Sequence, residues 1–117
     1  MSKRENDQRF DYLELPAKNF EVAKKFYTSA FGWKYEVWGD AYADTKDSGV
    51  GSGLNGEEPT AAPLPVIYAL DLAATRARVV AAGGTIVREI FDFPGGRRFH
   101  FRDPAGNELA VWSDPIE

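Results

Sequence analysis

The sequence predicts an α+β fold made of two tandem βαβββ modules. Strand-like alternation and helix-like spacing succeed one another in the same order in both halves: strand, helix, three strands. The helix boundaries repeat at a fixed offset, since Asn19 and Asp71 stand at the two starts and Gly32 and Gly84 just past the two ends, 52 residues apart in each case. The same offset carries Tyr12 to Leu64 and Glu14 to Val66 in the strands before the helices. A long period present in only two copies indicates an internal duplication rather than a solenoid.

Residues 1–9 are polar and read as a disordered leader, and residues 10–113 as one domain. In FDYLEL, Tyr12 and Glu14 share one face and Leu13 and Leu15 the other, the period of a strand. Pro16 ends it, because proline cannot donate to a ladder. Val22, Ala23, Phe26, Tyr27 and Ala30 then fall at helical spacing. WKYEVW and two short strands near Tyr42 and Val50–Leu54 complete module one, about 10–56. Residues 57–63 form a linker, and module two, about 64–113, restarts with VIYAL. The helix LAATRARVVAA and the strands TIVREIF, RRFHFR and NELAVW come next. Asp103-Pro104-Ala105-Gly106 joins the last two strands, with Asp, Pro and Gly where a type I hairpin turn requires them.

Composition excludes several classes. A content of 44% apolar and 27% charged residues over 117 positions suits one globular domain. The net charge of −4, with scattered basic residues, argues against nucleic acid as a partner. No cysteine is present, which removes disulfides, thiolate metal sites and thiol nucleophiles. No apolar run approaches the ~18 residues of a membrane span, and the N-terminus lacks the apolar core of a signal peptide, so a cytoplasmic protein is expected. GVGSG lacks the Gly-Lys-Ser/Thr of a phosphate loop, Asp40, Asp44 and Asp47 lack the terminal glutamate of a calcium loop, and no GxSxG occurs.

LELPAKNFEVAKKFYTSAFGW in the first half, and ALDLAATRARVVAAGGTIV with FRDPAGNELAVW in the second, resemble the vicinal oxygen chelate superfamily. That group contains glyoxalase I, bleomycin-resistance proteins and extradiol dioxygenases. The resemblance runs from Phe10 to Trp112, and its most specific parts are the FY…FGW helix end and the DPAGN hairpin. It implies sheets curled into an incomplete barrel around a cleft, helices on the outside, and a homodimer. It also implies a divalent metal held by His, Glu or Gln at the first and last strands of each module. Here those positions match Tyr12, Leu64 and Ala110, with the fourth near Gly51–Leu54. Leucine and alanine cannot coordinate a cation, so no metal cofactor is expected.

Ala110 at an inward position of the family assigns the faces. Phe99, Phe101, Leu109 and Val111 should lie under the helix, and Arg98, His100, Glu108 and Trp112 should face the cleft. Tyr12, Glu14 and Tyr68 join them by the same alternation, with Trp38 and Tyr42 from module one. Aromatic walls with a few polar groups suit a small organic ligand, so binding without metal is the first expectation. The alternative is a lyase or isomerase of glyoxalase type, with His100 as base, Glu14 or Glu108 tuning it and Tyr12 as donor. Each residue also has a structural role open to it, His100 as a hydrogen-bonded wall and Trp38 and Trp112 as core. FPGGRR is either a mobile, anion-attracting flap or an ordinary hairpin loop.

Overall fold

The computed structural model describes residues 3–116. A 3₁₀ turn, Lys3–Asn6, leads into β1 (Arg9–Pro16), α1 (Phe20–Phe31), β2 (Glu36–Trp38), β3 (Tyr42–Thr45) and β4 (Gly51–Asn55). The order then repeats as β5 (Leu64–Tyr68), α2 (Leu72–Ala81), β6 (Thr85–Phe93), β7 (Gly96–Arg102) and β8 (Glu108–Ser113). The predicted α+β duplication is therefore what the chain forms. Two units result: Tyr12–Leu64, and Pro65 onward together with the residues up to Asp11.

In the first unit the strand order is β2-β3-β4-β1. β1 runs parallel to β4, with Tyr12 opposite Gly51, Glu14 opposite Gly53 and Pro16 opposite Asn55. β3 lies antiparallel on the other side of β4 and places Tyr42 opposite Asn55. One face of this sheet packs under α1, where Ala17, Phe20, Ala43 and Leu54 are buried with Leu15, Ala23 and Tyr27 against them. The helix stops where Gly32 adopts φ 77°, a conformation glycine enters without steric cost, and its N–H bonds to the Thr28 carbonyl at 2.9 Å. Asn19 occupies the N-cap position, but its side chain makes no capping bond; its carbonyl accepts from Ala23 at 3.0 Å instead. The apolar stripe of α1 is wider than the sheet beneath it. Val22 and Phe26 are 60% and 57% exposed, and Phe26 packs edge-on to Tyr27 and Phe31, with ring centroids 5.1 and 6.5 Å apart.

The second unit repeats the topology as β5-β8-β7-β6. β5 is parallel to β8, with Val66 opposite Ala110 and Tyr68 opposite Trp112. Phe99, Val111, Ala69 and Leu72 form the core with Ile67, Val79, Ile86 and Phe101, which places Phe99, Phe101 and Val111 on the helix side as alternation predicts. The Asp71 side chain caps α2 by accepting from Ala74 N–H at 3.0 Å. Asp103 organises the β7–β8 turn, since its carboxylate accepts from the Ala105 and Asn107 N–H groups, both at 2.9 Å, and Gly106 closes it at φ 95°.

Strand β6 departs from plain alternation. Its register against β7 slips twice, between Ile86 and Arg88 and between Arg88 and Phe91. Each slip is a bulge that inserts a residue and re-aims the side chains beyond it. Ile86 and Ile90 both reach the core, while Arg88 between them stands opposite His100, and Phe91 opposite Arg98, on the other face. The FPGG segment is a tight hairpin in which Phe93 pairs with Gly96. A Cβ on Gly96 would overlap the Ser113 carbonyl oxygen, so only glycine fits where β7 meets β8.

Asp7 and Gln8, within the residues 1–9 read from composition as a disordered leader, make specific contacts in the second unit. Asp7 bridges to Tyr68 and its carboxylate accepts from Leu70 N–H at 2.8 Å. Gln8 takes φ 67°, donates its backbone N–H to the Tyr68 carbonyl at 2.8 Å, and accepts from Arg78 at 2.6 Å through its side chain. The Asp7 side chain thus satisfies a backbone N–H just before α2 and the Gln8 side chain reaches α2 at Arg78, a use that composition does not reveal. Deleting residues 1–8 is expected to lower stability by about 1–3 kcal/mol through the loss of these bonds. Urea unfolding of the truncated chain measures it, and an unchanged midpoint would show the segment to be passive.

Candidate functional site

In the first unit the sheet face turned away from α1 carries a connected polar cluster. Alternation on β1 places Tyr12 and Glu14 there, and the register on β4 brings Gly51, Gly53 and Asn55 beside them. Glu14 is 1% exposed. Its carboxylate accepts from Asn55 Nδ2 at 3.0 Å and from the Tyr42 hydroxyl at 3.3 Å. The Tyr42 and Tyr12 hydroxyls lie 2.7 Å apart. A phenol has one proton, so when Tyr42 donates to Glu14, Tyr12 must donate to Tyr42. Asn55 is held in turn by the loop after β4, accepting from the N–H groups of Glu57 and Glu58 at 3.0 and 3.1 Å. Gly53 makes the cluster possible, because a Cβ there would overlap the Tyr12 hydroxyl oxygen and stand 2.5 Å from that of Tyr42.

The corresponding face of the second unit holds Tyr68, Arg98, His100, Glu108 and Trp112. His100 is 3% exposed, and its Nδ1 lies 2.9 Å from Glu108 Oε2. Trp112 meets Tyr68 edge-on at 5.2 Å between centroids and donates its indole N–H to Asp11 at 2.8 Å. Tyr68 is buried, and its hydroxyl donates to Asp114. Burial, reinforced by the Asp114 carboxylate, pushes its pKa up to about 12. Strand β6 adds Arg88 and Phe91, and the β6–β7 hairpin adds Phe93. Arg88 Cζ lies 3.6 Å above the Phe91 ring centroid, and Arg98 Cζ lies 5.5 Å from Phe91 and 5.8 Å from Phe93.

Tyr12, Glu14 and Tyr42 are thus brought together in one unit, and His100 and Glu108, with Tyr68 and Trp112 beside one another, in the other. Trp38 sits on strand β2 and is 55% exposed. Asn55, Arg88, Phe91 and Phe93 escaped the sequence reading. The bulges of β6 hid Arg88, since strict alternation places it on the same side as Ile86, whereas Phe91 falls opposite Ile86 by alternation alone. Asn55 comes after the apolar Leu54 at a strand end, and only the register reveals it as the anchor of Glu14.

The register also identifies the fourth position that the family resemblance left open. Gly53 faces Glu14 as Ala110 faces Val66, so the last-strand position of module one is Gly53. Glycine, Leu64 and Ala110 carry no donor atom, and the Tyr12 hydroxyl is engaged with Tyr42. Among the described residues no group of three or more His, Asp or Glu side chains could hold a metal ion. The residues present do not fit the divalent site of the family, which needs three or more N or O donors.

A duplicated βαβββ chain with polar clusters on the non-helical sheet faces defines a glyoxalase-like domain. Residues 9–111 match the model of the Glyoxalase/Bleomycin resistance protein/Dioxygenase superfamily, and the chain belongs to that superfamily. It is 30% identical over 115 residues to CFP32 of Mycobacterium bovis, a protein bearing a glyoxylase name; the match covers 87% of this chain and 44% of that protein. The chain thus spans less than half the length of this curated relative. A Mn(II)-bound glyoxalase from Novosphingobium aromaticivorans superposes with a TM-score of 0.67 at 27% identity, over 93% of this chain and 40% of the other. A superfamily member from Vibrio splendidus superposes with a TM-score of 0.71 at 17% identity, over 88% and 97% of the two chains. Among the described residues no helix is long and apolar enough to cross a membrane.

Two measurements test this geometry. Gly53→Ala should cost about 1–3 kcal/mol by overpacking, and less in a Tyr12→Phe background, which removes the oxygen that the new methyl meets. Additive costs in the denaturation cycle would show that the hydroxyl is not the obstacle. The raised pKa of Tyr68 means that the fold favours the neutral phenol. Its stabilising effect is present below pH 10 and is lost as pH rises toward 12. Tyr68→Phe should therefore flatten the fall of the thermal midpoint over that interval, and an unchanged alkaline profile would refute the assignment.

Proposed function

We propose that this chain binds a small organic molecule on its non-helical sheet faces without a divalent metal, in the way that bleomycin-resistance proteins sequester their drugs. The observation that carries the proposal is the donor set: Gly53, Leu64 and Ala110 offer no ligand atom where the superfamily places its metal. The surroundings of those positions are aromatic and polar, with Tyr12 and Tyr42 in one unit and Trp112, Phe91 and His100 in the other. Such surroundings suit desolvation of an organic body and orientation by a few hydrogen bonds. Protein purified without added metal should contain only substoichiometric divalent ions by elemental analysis. Screening by thermal unfolding should find organic ligands that stabilise it, by about 2.7 kcal/mol at a concentration one hundred times the dissociation constant. A stoichiometric ion that survives dialysis overturns the metal-free reading, and an organic panel without any stabilising compound overturns binding.

The pair His100–Glu108 favours a second reading, acid–base catalysis of the lyase or isomerase kind. Donation of Nδ1–H to Glu108 fixes the ring tautomer and leaves Nε2 as the basic nitrogen. Glu108 orients the ring and His100 is the residue that would take the proton. The glyoxylase name of CFP32 and the Mn(II)-bound Novosphingobium glyoxalase are in keeping with chemistry of this class. His100→Gln should abolish turnover of hemithioacetal or epimerisable thioester substrates, with Glu108→Gln reducing it by about 10²–10⁴-fold. Full activity in the His100 variant excludes this role.

A further inference from the structure

We propose that the second unit holds a separate binding site for a free α-amino acid with an aliphatic side chain, recognised as a zwitterion. The site is a cavity of about 340 Å³ at the end of the sheet, within this unit. That volume lies in the range of small-molecule pockets. Its position differs from the non-helical face described above. Arg97 and Ser113 stand opposite one another on β7 and β8, and alternation puts both on the side of Phe99 and Val111, which pack under α2. The first turn of α2, after the cap at Asp71, lines the cavity from the other side. The proposal goes beyond the binding reading above and does not depend on it.

Charges of both signs meet at this cavity. Arg97 lines it, and its ion pair with Asp92 is loose: Nε lies 3.6 Å from an aspartate whose side chain is 87% exposed. Such pairs contribute little, and the terminal N–H groups of the guanidinium remain for a bidentate carboxylate. Asp71 and Asp114 line the same cavity. Each engages one carboxylate oxygen in the fold, Asp71 Oδ1 with Ala74 N–H at 3.0 Å and Asp114 Oδ2 with the Tyr68 hydroxyl. The second oxygen of each can accept from an ammonium group. Ser113 is buried beside them, and its Oγ donates to the Leu70 carbonyl at 3.4 Å while keeping lone pairs for a donor. A simple anion would meet two carboxylates here, and a simple amine would meet a guanidinium. A zwitterion has a counter-charge for each. The remaining wall is aliphatic. Leu72 is buried, while Leu70 and Ile116 are 41% and 75% exposed, so an aliphatic side chain lying against them removes apolar surface from water.

The test is an NMR titration of the full chain with matched probes: L-leucine, 4-methylpentanoate (which lacks the amine), isopentylamine (which lacks the carboxylate) and glycerol as a neutral polyol. Leucine should shift the amides of Leu72, Ala73 and Ser113. Each single-charge analogue should bind roughly tenfold more weakly, through the loss of a charge-assisted hydrogen bond. Asp71→Asn keeps a capping side chain and Asp114→Asn keeps an acceptor for Tyr68, so both remove charge while sparing the bonds of the fold. Each should weaken leucine binding roughly tenfold and leave 4-methylpentanoate bound as tightly or more so. Arg97→Met should do the reverse, weakening leucine and 4-methylpentanoate and sparing isopentylamine. Leucine without effect on these amides overturns the site. An analogue or glycerol that binds as tightly as leucine, or leucine binding that survives all three substitutions unchanged, overturns recognition of a zwitterion.

Discussion

Everything on the two sheet faces depends on one constraint, the parallel pairing of the first and last strands in each unit. Because side chains alternate with a period of two, that register fixes which residues share a face, and a slip by one would exchange core and site. It sets Glu14 against Gly53 in one unit and Val66 against Ala110 in the other. Once Glu14 faces a glycine, there is space for two phenols to close over it, and Tyr42 reaches across from β3 to supply a hydrogen bond. Burying a carboxylate is costly unless it is hydrogen-bonded, and the Asn55 and Tyr42 donors serve that need.

The two units show how one topology supports different chemistry. The non-helical face of the first is built of hydroxyls, an amide and a buried carboxylate, linked in a chain from Tyr12 to the loop beyond Asn55. That of the second is built of rings and cations, with the carboxylate of Glu108 turned to an imidazole. The duplication preserved the scaffold, visible in the identical order of strands, while the side chains diverged. Function in such folds resides in the residues placed on them, and the fold alone does not name it.

Much of this was legible in the sequence because it depends on local rules. The 52-residue offset at the helix starts, the caps at Asp71 and Gly32, and the Asp103 turn are short-range signals that reappear in the structure, whereas α2 ends at Ala81 and takes its left-handed glycine at Gly83 rather than at Gly84, where the offset placed it. Alternation correctly sent Phe99 and Val111 under the helix. The features that local rules missed depend on other strands. The placement of Arg88 required the bulges, which arise from the pairing of β6 with β7. The role of Asn55 required the β1–β4 register. The cap at Asn19 has the expected position without the expected side-chain bond, and Val22 and Phe26 have helical spacing without a sheet broad enough to cover them.

Gly53 has a consequence for how this chain can change. Any side chain added there meets the paired hydroxyls of Tyr12 and Tyr42, so a histidine or glutamate at this position requires those phenols to shift. Introducing a donor at the last strand of module one therefore disturbs a polar cluster as it adds a ligand. A gain of function at this position is thus coupled to the phenols beside it and cannot be made by one residue independently of them.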